Sequence, residues 1–502
     1  MQTIEERFAP IQAGLPDLWR RIQDPKVPRL VIAVPSLSLD LEGLPLPGGL
    51  LHFEERMLYL FHLLGQPASR LWFYSSHLIP EEEIAYYLHF LRHVPFSHGR
   101  NRLRLQPLLD RENLPLTEKM LRRPALLERL RRQIQQSPNA YLTVYRSTEL
   151  EMRLAVELGV PILGTDPRHQ KLSAKARARK LFESLGLAVP PGRVNLHNLD
   201  DLAAALVSMQ ESGAITVDQP KVVVKQNDGV SGLGNRNLGL MPFWNLLVSE
   251  HMLPDEKHAR LGQALRRHWG DLEGKAFWPR FERLGGLVEQ HLEGESVSVQ
   301  VQISPLFEVT VMGVHQELLD KQGRYRGALF PAPDPLASAT VARARKVGEE
   351  LARQGVQGRV EVDFLVTRDE VYALDVNFRK SNSTTSLRTL NLLAGGAYNE
   401  QENRYVDGSG KEKFVYSSDW LEVGEQAYSL HDVIDLATEE GLNYSTASHT
   451  GVVFHMLGGV SSTRRLGVTC VGEDMEEAHH LYAESERALG VRLEAVPASA
   501  NY

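Results

Sequence analysis

The segment GRVEVDFLVTRDEVYALDVNFR, residues 358–379, decides the fold of this chain. Apolar and polar residues alternate in its two halves, as they do on half-buried strands, and the polar turn between the halves predicts a hairpin. Residues two apart on a strand point to the same face, so we expect Asp375 and Asn377 to project together, with Arg379 next in line. Pairing of the strands can bring Asp363 alongside. The segment therefore predicts a group of side-chain oxygens beside a cation.

Such a group of oxygens suits a hard divalent cation. Mg²⁺ binds a few carboxylate or carbonyl oxygens and leaves its other positions to water and to nucleotide phosphates. Asp363, Asp375 and Asn377 are therefore candidate ligands of Mg²⁺, with Mn²⁺ as an alternative ion. The competing interpretation is an exposed strand edge, because acidic residues commonly mark such edges.

A phosphate-binding element is predicted upstream of the hairpin. A valine-rich strand delivers Lys225, and a loop with several glycines follows it. Glycines let consecutive backbone N–H groups turn toward one anion, and the lysine adds a point charge for phosphate oxygens. The loop is neither a Walker A sequence nor a dinucleotide fingerprint, and an ordinary turn is the competing interpretation. The candidate loop residues are Gly229, Ser231, Gly232, Gly234 and Asn235.

The segment 286–300 lies between these two elements. An apolar strand runs into Glu289, a short connector follows, and Glu295 opens another alternating strand. A chain that crosses between two lobes here could offer backbone groups to an adenine edge and a carboxylate to ribose hydroxyls. A surface turn with two solvated glutamates is the competing interpretation.

In their order and spacing, these elements resemble the ATP-grasp superfamily over about residues 170–405. The sequences VVKQNDGVSGLGN (223–235) and DVNFRKSNSTTS (375–386) are most similar to the branch that contains the pheganomycin-type peptide ligases. The resemblance implies an ATP-dependent carboxylate–amine ligase that forms a peptide bond through an acyl phosphate and releases ADP and phosphate.

The resemblance also implies a role for each matching residue. Lys175 matches the first phosphate-binding lysine, with Lys171 as a nearby alternative, and Lys225 matches the second. The other nucleotide-binding residues would be those of the glycine loop together with the hinge residues Glu289, Gln290, Leu292 and Glu295, the last of which would bind the ribose. The cofactors would be ATP and Mg²⁺, and the metal ligands would be Asp363, Asp375 and Asn377.

Two positions depart from the superfamily pattern. Asp375 stands where glutamate is common, and its shorter side chain reaches one metal ion more easily than it bridges two. Glu361 stands where many relatives carry the arginine that stabilises the tetrahedral intermediate. The resemblance leaves that role to Arg379 or Arg388, so these two arginines and Lys225 are the candidate catalytic residues.

The first 169 residues alternate short apolar runs with longer amphipathic stretches. This alternation predicts a parallel sheet covered by helices, an α/β arrangement. The resemblance implies three parts: a Rossmann-like domain over residues 1–169, an ATP-grasp domain of two lobes over residues 170–405 with a hinge near residues 289–295, and a small α+β C-terminal domain over residues 406–502.

Composition narrows the possible partners and location. The 502 residues carry a net charge of −7, which argues against nucleic acid as the main partner. The basic stretch 122–132 interleaves leucines with arginines, so it predicts an amphipathic helix with a solvated face. The only cysteine, Cys470, excludes an intramolecular disulfide and is expected in the core. No apolar run approaches the length of a membrane span and the N-terminus lacks a signal-peptide pattern, so we expect a cytoplasmic protein without a membrane partner.

The expected partners are therefore substrates. The family resemblance alone favours a small-molecule or peptide amine and an amino-acid-like carboxylate, and the sequence leaves a homodimer open. The alternative function is a nucleotide-binding regulatory protein that kept the ATP-grasp fold and lost ligation. Asp375 and Glu361 favour this alternative, whereas the two lysines and the complete set of metal ligands argue against it.

Overall fold

The computed structural model describes residues 2–38, 50–137, 139–229, 234–269, 272–320, 323, 325–424 and 428–490. The strands in these ranges are β1 (Arg29–Val34), β2 (Ser69–Ser75), β3 (Leu103–Pro107), β4 (Ala140–Val144), β5 (Gly192–Leu196), β6 (Lys221–Gln226), β7 (Asn235–Gly239), β8 (Gly286–Gln290), β9 (Glu295–Ile303), β10 (Val309–Leu319), β11 (Tyr325–Phe330), β12 (Gly358–Val366), β13 (Val371–Asn377), β14 (Ala397–Asn399), β15 (Arg404–Val406), β16 (Phe414–Glu422), β17 (Gly451–His455) and β18 (Arg465–Gly472).

The α-helices are α1 (Ile4–Ala13), α2 (Leu15–Ile22), α3 (Glu81–His89), α4 (Phe96–Arg102), α5 (Leu116–Leu121), α6 (Pro124–Gln135), α7 (Glu149–Leu158), α8 (Lys175–Ser184), α9 (Leu199–Glu211), α10 (Trp244–Leu247), α11 (Pro254–His268), α12 (Leu272–Leu284), α13 (Asp334–Arg353), α14 (Asn382–Ala394), α15 (Leu430–Glu439), α16 (Val460–Thr463) and α17 (Met475–Ala488). Four 3₁₀ helices in the described ranges span Leu50–Gly65, Pro167–Ser173, Met241–Phe243 and Leu457–Gly459. None of the described helices is long and apolar enough to cross a membrane.

The first part of the chain forms a four-stranded parallel sheet in the order β3-β2-β1-β4. Every residue of β1 is buried, because its alternate side chains pack into two different cores. Val31 and Ala33 belong to one core, and Leu30 and Ile32 belong to the other. A parallel sheet needs this cover on both faces, and the predicted α/β arrangement is confirmed.

The hairpin predicted over residues 358–379 is also confirmed. β12 and β13 pair antiparallel with Asp363 opposite Asp375, and the N–H of Thr367 donates to the carbonyl oxygen of Glu370 at 2.9 Å in the turn. The hairpin forms one edge of an eight-stranded sheet with the order β13-β12-β9-β10-β11-β16-β18-β17. The last three strands of this sheet, β16, β18 and β17, come from the C-terminal part of the chain. The sheet is thus continuous across the expected boundary at residue 406, and that boundary remains a prediction.

Alternation along β9 separates the core of the large sheet from its polar face. Val297, Val299 and Val301 are fully buried in a core shared with α13. Burial of one such side chain stabilises the fold by about 1.5–3 kcal/mol. A slip of one residue would exchange the two faces, so these valines fix the register that directs the intervening polar residues to the opposite side.

A smaller antiparallel sheet, β5-β8-β6-β7, forms the second lobe of the central part. Its apolar side chains share a core with α9, α11 and α12. The two lobes, the preceding parallel sheet and the C-terminal α+β part confirm the predicted fold class. Two smaller predictions also hold: α6 buries Leu127, Leu130 and Ile134 along one side, and Cys470 is fully buried.

Candidate active site

Residues from both lobes line a cleft of about 950 Å³. The small sheet contributes Lys225 and the two ends of the loop that follows it, and the large sheet contributes side chains from β9, β10, β12 and β13. The predicted site residues that meet in this cleft are Lys175, Lys225, Gly229, Gly234, Asn235, Asp363, Asp375, Asn377 and Arg379. The site therefore depends on the two lobes facing each other.

Asp363 and Asp375 lie opposite each other on the hairpin, and Asn377 joins them. The Nδ2 atom of Asn377 donates to Oδ2 of Asp363 at 2.8 Å. The remaining Oδ1 atoms of both aspartates are buried and have no hydrogen-bond partner in the described part of the chain. Buried polar atoms are rarely left unpaired, so two such oxygens side by side fit a bound cation.

The electrostatics of the two aspartates differ. Burial raises the pKa of Asp363 well above its usual range, and the nearby carboxylates of Glu361 and Glu317 raise it further. Burial alone would also raise the pKa of Asp375, but Lys175 and then Lys225 bring it below its usual value. A divalent cation between the two carboxylates would remove the repulsion that Asp363 experiences.

Two further carboxylates, Glu317 and Glu361, were not predicted as site residues. Glu317 on β10 accepts hydrogen bonds from Ser298 Oγ at 2.5 Å and Ser296 Oγ at 2.8 Å, and burial raises its pKa. Glu361 accepts a hydrogen bond from Ser381 Oγ at 2.8 Å, and both glutamates line the cleft. The sequence signal was the run of polar residues on alternate positions of β9, which marks a polar face next to which any carboxylate of β10 would lie.

Lys175 begins α8, and its Nζ atom donates to Oδ2 of Asp375. Asn227 fixes this helix end, because its carbonyl oxygen accepts from the N–H of Lys175 at 3.2 Å and its Oδ1 atom accepts from the N–H of Ala176 at 3.2 Å. Such contacts satisfy backbone donors that a helix start leaves unpaired. Asn227, just before the glycine loop, thus positions Lys175, and this lysine and the ends of the loop line the same cleft.

The ends of the glycine loop approach each other closely. A side chain at Gly234 would place its Cβ atom 3.1 Å from Cα of Gly229, and one at Gly229 would lie 3.9 Å from Cε of Lys175. Asn235 pairs with Lys225 across β6 and β7. Ser231 and Gly232, which were predicted to bind phosphate, lie outside the described residues.

Lys225 is held by a buried carboxylate. Its Nζ atom lies 2.8 Å from Oε2 of Glu289, whose Oε1 atom lies 2.9 Å from a guanidinium nitrogen of Arg179. Burial alone would lower the pKa of Lys225, but Glu289 and then Asp375 raise it above its usual value, so the lysine is charged. Glu289, predicted at the hinge, thus lies at the end of β8 between two cations.

The other predicted hinge residues lie at the edge of the small lobe. The backbone N–H of Gln290 donates to Pro191 O at 2.8 Å, and Leu292 is half-buried just after β8. Glu295 opens β9 with an exposed side chain, which accepts a hydrogen bond from Gln316 Nε2 at 2.9 Å. The structure therefore keeps these residues together on one connector, outside the lining of the cleft.

Arg379 joins the large sheet to the first part of the chain. Its backbone forms an isolated bridge with Arg146, and its NH2 atom donates to Oδ1 of Asn377 at 3.3 Å. Arg146 in turn lies 3.1 Å from Oδ2 of Asp228. These residues line a second cleft of about 330 Å³, which shares Lys175, Gly229, Asp375, Asn377 and Arg379 with the first. The two clefts thus meet at the aspartate and lysine of the predicted phosphate site.

Arg388, the other predicted arginine, lines neither of these two clefts. It belongs to α14, which packs against the 3₁₀ helix Leu50–Gly65, and its close neighbours include Tyr59 and Tyr405. Burial lowers its pKa, and the two tyrosines oppose this change. Of the two predicted arginines, Arg379 is the one that lines the cleft.

Two family models match the sequence. One is described as an ATP-grasp domain and matches residues 271–383, a span that includes Glu289, Glu295, Asp363, Asp375, Asn377 and Arg379. Over this span the chain resembles the ATP-grasp superfamily. The other model is described as the PGM1 C-terminal domain and matches residues 432–484.

A curated relative of this chain is the L-propargylglycine–L-glutamate ligase of Streptantibioticus cattleyicolor. It is 23% identical over 453 residues, which cover 87% of this chain and 88% of the relative. This similarity extends over nearly the whole length of both proteins, and the relative is named as a ligase. The expected resemblance to ATP-grasp ligases of amino acids and peptides is therefore confirmed.

Solved structures support the ATP-grasp fold. The ADP complex of an N5-carboxyaminoimidazole ribonucleotide synthetase has a TM-score of 0.52 at 14% identity and covers 92% of this chain and 97% of its own. The biotin carboxylase domain of the Hydrogenobacter thermophilus 2-oxoglutarate carboxylase, in complex with MgADP, has a TM-score of 0.54 at 11% identity. It covers 92% of this chain and 90% of its own. At these identities the comparison shows the fold alone.

Proposed function

We propose that this protein is an ATP- and Mg²⁺-dependent ligase that joins a carboxylate to an amine through an acyl phosphate and releases ADP and phosphate. One observation carries the proposal: Lys175, Asp375 and Arg379 line both of two adjoining clefts. Lys225 and Asp363 line the larger cleft, and both aspartates have an unpaired buried oxygen. A binding protein needs only the nucleotide cleft. A ligase needs a second space that opens on the same phosphate site, and this arrangement provides it.

The first cleft would hold the nucleotide. Lys175, Lys225 and the glycine loop would bind its phosphates, because each lysine already directs its charged group at a carboxylate of this region. The connector with Glu289, Gln290, Leu292 and Glu295 would bind adenine and ribose. Asp363, Asp375 and Asn377 would hold Mg²⁺, which supplies charge neutralisation for the phosphates when bound.

The second cleft would hold the substrate carboxylate. Arg146 and Arg379 supply positive charge there, and guanidinium groups bind carboxylates well because their donors match both oxygens. A carboxylate in this cleft lies next to the shared phosphate site. One of its oxygens can attack the γ-phosphorus as ADP leaves, and placing the reactants in line accounts for most of the catalysis in such transfers.

The amine then completes the reaction. Its nitrogen attacks the acyl carbon, the bond from that carbon to the phosphate oxygen breaks, and the nitrogen loses a proton. Glu317 is suited to accept this proton, because burial raises its pKa and it lines the nucleotide cleft. Arg379 would stabilise the negative charge of the tetrahedral intermediate. By extension from the name of the curated relative, we propose amino-acid-like substrates for both roles.

The first experiment is a substrate screen. The full chain is incubated with ATP, Mg²⁺ and pooled amino acids and short peptides, and ADP release is followed together with the masses of new products. We expect ADP release that requires both an acid and an amine, and a product whose mass is their sum less one water. Tight ATP binding without substrate-dependent ADP release across a broad pool would favour the regulatory alternative.

A further inference from the structure

A second group of polar side chains lies outside the ATP cleft, where the N-terminal part of the chain meets the C-terminal part. His52 and Glu55 come from the 3₁₀ helix Leu50–Gly65, His77 follows β2, and Glu83 lies in α3. None of these four residues lines either of the two clefts described above. We call them the His/Glu cluster.

The two histidines converge on one carboxylate. His52 Nδ1 lies 2.6 Å from Oε1 of Glu55, and His77 Nε2 lies 2.8 Å from the same oxygen. The two imidazole rings have centroids 4.6 Å apart in an edge-on arrangement. One ligand atom from each of these three residues lies within 4.8 Å of the others. Two nitrogens and an oxygen this close together could supply three of the four ligands of a tetrahedral metal site.

Each carboxylate of the cluster also has one oxygen without a hydrogen-bond partner among the described residues. Glu55 and Glu83 are both fully buried, and Oε2 of Glu55 and Oε1 of Glu83 have no hydrogen-bond partner among the described residues. The two carboxylates are neighbours, because oxygens of Glu55 and Glu83 lie 2.7 and 3.2 Å from the position that a Cβ atom at Gly458 would take. Two adjacent buried carboxylates are costly unless a positive charge lies between them. A bound cation would supply that charge and would use the unpaired oxygens.

The backbone of the C-terminal part closes over the cluster. The N–H of Gly458 donates to Oε2 of Glu83 at 3.2 Å. A Cβ atom at Gly458 would lie 2.7 Å from Oε1 of Glu55, and one at Gly459 would lie 2.9 Å from Cγ of His52. A side chain at either position would therefore collide with the cluster, and glycine lets the backbone approach it this closely.

We propose that His52, Glu55, His77 and Glu83 bind a divalent transition-metal ion of the Zn²⁺ class. Imidazole nitrogens favour such ions over Mg²⁺. His52, Glu55 and His77 supply three ligands, and Glu83, whose carboxylate lies farther from the nitrogens, would move inward to complete a tetrahedral set. With metal–ligand bonds of about 2.0–2.1 Å, tetrahedral ligands lie about 3.4 Å apart, so the nitrogens of His52 and His77, now 2.6 and 2.8 Å from Oε1 of Glu55, need to move away from it by about 0.6–0.8 Å. The ion would join three elements of the N-terminal part beneath the backbone of Gly458 and Gly459, and its role would be structural.

The test uses the full chain, stripped with a chelator and titrated with Zn²⁺ in excess Mg²⁺, because the cleft carboxylates would otherwise compete for the ion. Two variants keep a hydrogen-bond donor toward Glu55 but remove a good ligand: His52→Asn and His77→Gln. The matched control is His449→Ala, which removes a histidine of similar exposure whose Nδ1 lies 2.6 Å from Asp407. Metal content, Zn²⁺ affinity and thermal unfolding are measured for each protein.

We expect the wild type and His449→Ala to bind one equivalent of Zn²⁺ and to unfold at a higher temperature with the ion than without it. His52→Asn and His77→Gln should fold without metal but lose affinity on the order of 100-fold or more, together with the thermal stabilisation. If Zn²⁺ binds with the same affinity and stabilisation in both variants, or does not bind the wild type, the cluster is a hydrogen-bonded network only and the proposal is wrong. Neither result depends on the ligase activity proposed above.

Discussion

Replacement of Asp363 by asparagine separates a metal ligand from a structural residue. Opposite residues of an antiparallel pair have Cβ atoms about 5 Å apart, so Asp363 and Asp375, when both are ionised, would repel by about 3 kcal/mol at an effective dielectric constant of about 20. Protonation of Asp363, whose pKa is raised by burial, relieves part of this repulsion. Lys175 neutralises part of the charge on Asp375. We therefore expect Asp363→Asn to raise the free energy of unfolding of the ligand-free protein by about 1 kcal/mol. The introduced Oδ1 atom can still accept from Asn377, so the local geometry is kept.

The same substitution should impair function. Loss of a contact that stabilises charge in a transition state lowers turnover by about 10²- to 10³-fold, or about 2.7–4 kcal/mol. Before substrates are identified, the readout is thermal unfolding with ADP, with and without Mg²⁺. In the wild type Mg²⁺ should increase the stabilisation by ADP, and in Asp363→Asn this increment should disappear. The control is Asp369→Asn, the same chemical change at an exposed position in the turn of the same hairpin. A normal Mg²⁺ increment in Asp363→Asn, or a large loss of ligand-free stability, would refute this reasoning.

Three other predictions concern the same cleft. Lys225→Ala should weaken the binding of ATP far more than that of adenosine, whereas Glu295→Ala should weaken both; calorimetry that shows equal losses for the two ligands in Lys225→Ala would contradict the phosphate assignment. Glu289→Gln leaves Lys225 and Arg179 without their buried carboxylate, so it should lower the free energy of unfolding, measured by urea denaturation, by about 3 kcal/mol. The control is Glu293→Gln at an exposed position, which should change this free energy little. Burial raises the pKa of Asp363, and Mg²⁺ binds the charged carboxylate, so the affinity for Mg²⁺ should increase as the pH rises through that raised pKa. Asp363→Asn should remove this pH dependence. An unchanged pH profile in this variant would exclude Asp363 as a ligand.

Local patterns in the sequence predict much of the central fold and of the site. The alternation in residues 358–379 predicts the hairpin, because the period of side chains on a strand is fixed by backbone geometry. The valine-rich strand before Lys225 is β6, and the loop after it returns as β7. The family resemblance adds Lys175, which no local pattern connects to Asp375, and the structure places the two side chains in contact.

What the sequence does not predict depends on contacts between distant segments. Glu317 lies on β10, which carries no motif, and it enters the site because β10 pairs with β9. Arg146 reaches the second cleft because its backbone pairs with Arg379. The His/Glu cluster combines residues from three elements of the N-terminal part, which only tertiary packing brings together. The pairing of β11 with β16 joins the C-terminal strands to the large sheet, and it likewise cannot be predicted from the sequence of either strand alone.

Transfer of oxygen from the substrate to phosphate tests the central claim most directly. In an acyl-phosphate mechanism, a carboxylate oxygen attacks the γ-phosphorus and stays on it when the amine displaces phosphate. A carboxylate substrate labelled with ¹⁸O should therefore yield labelled inorganic phosphate, measured by mass spectrometry, in amounts that match the amide product. Unlabelled phosphate from a confirmed pair of substrates would contradict the mechanism, because its oxygen would then come from water. Label on AMP in place of phosphate would show that the carboxylate is activated by adenylation, which also contradicts the account.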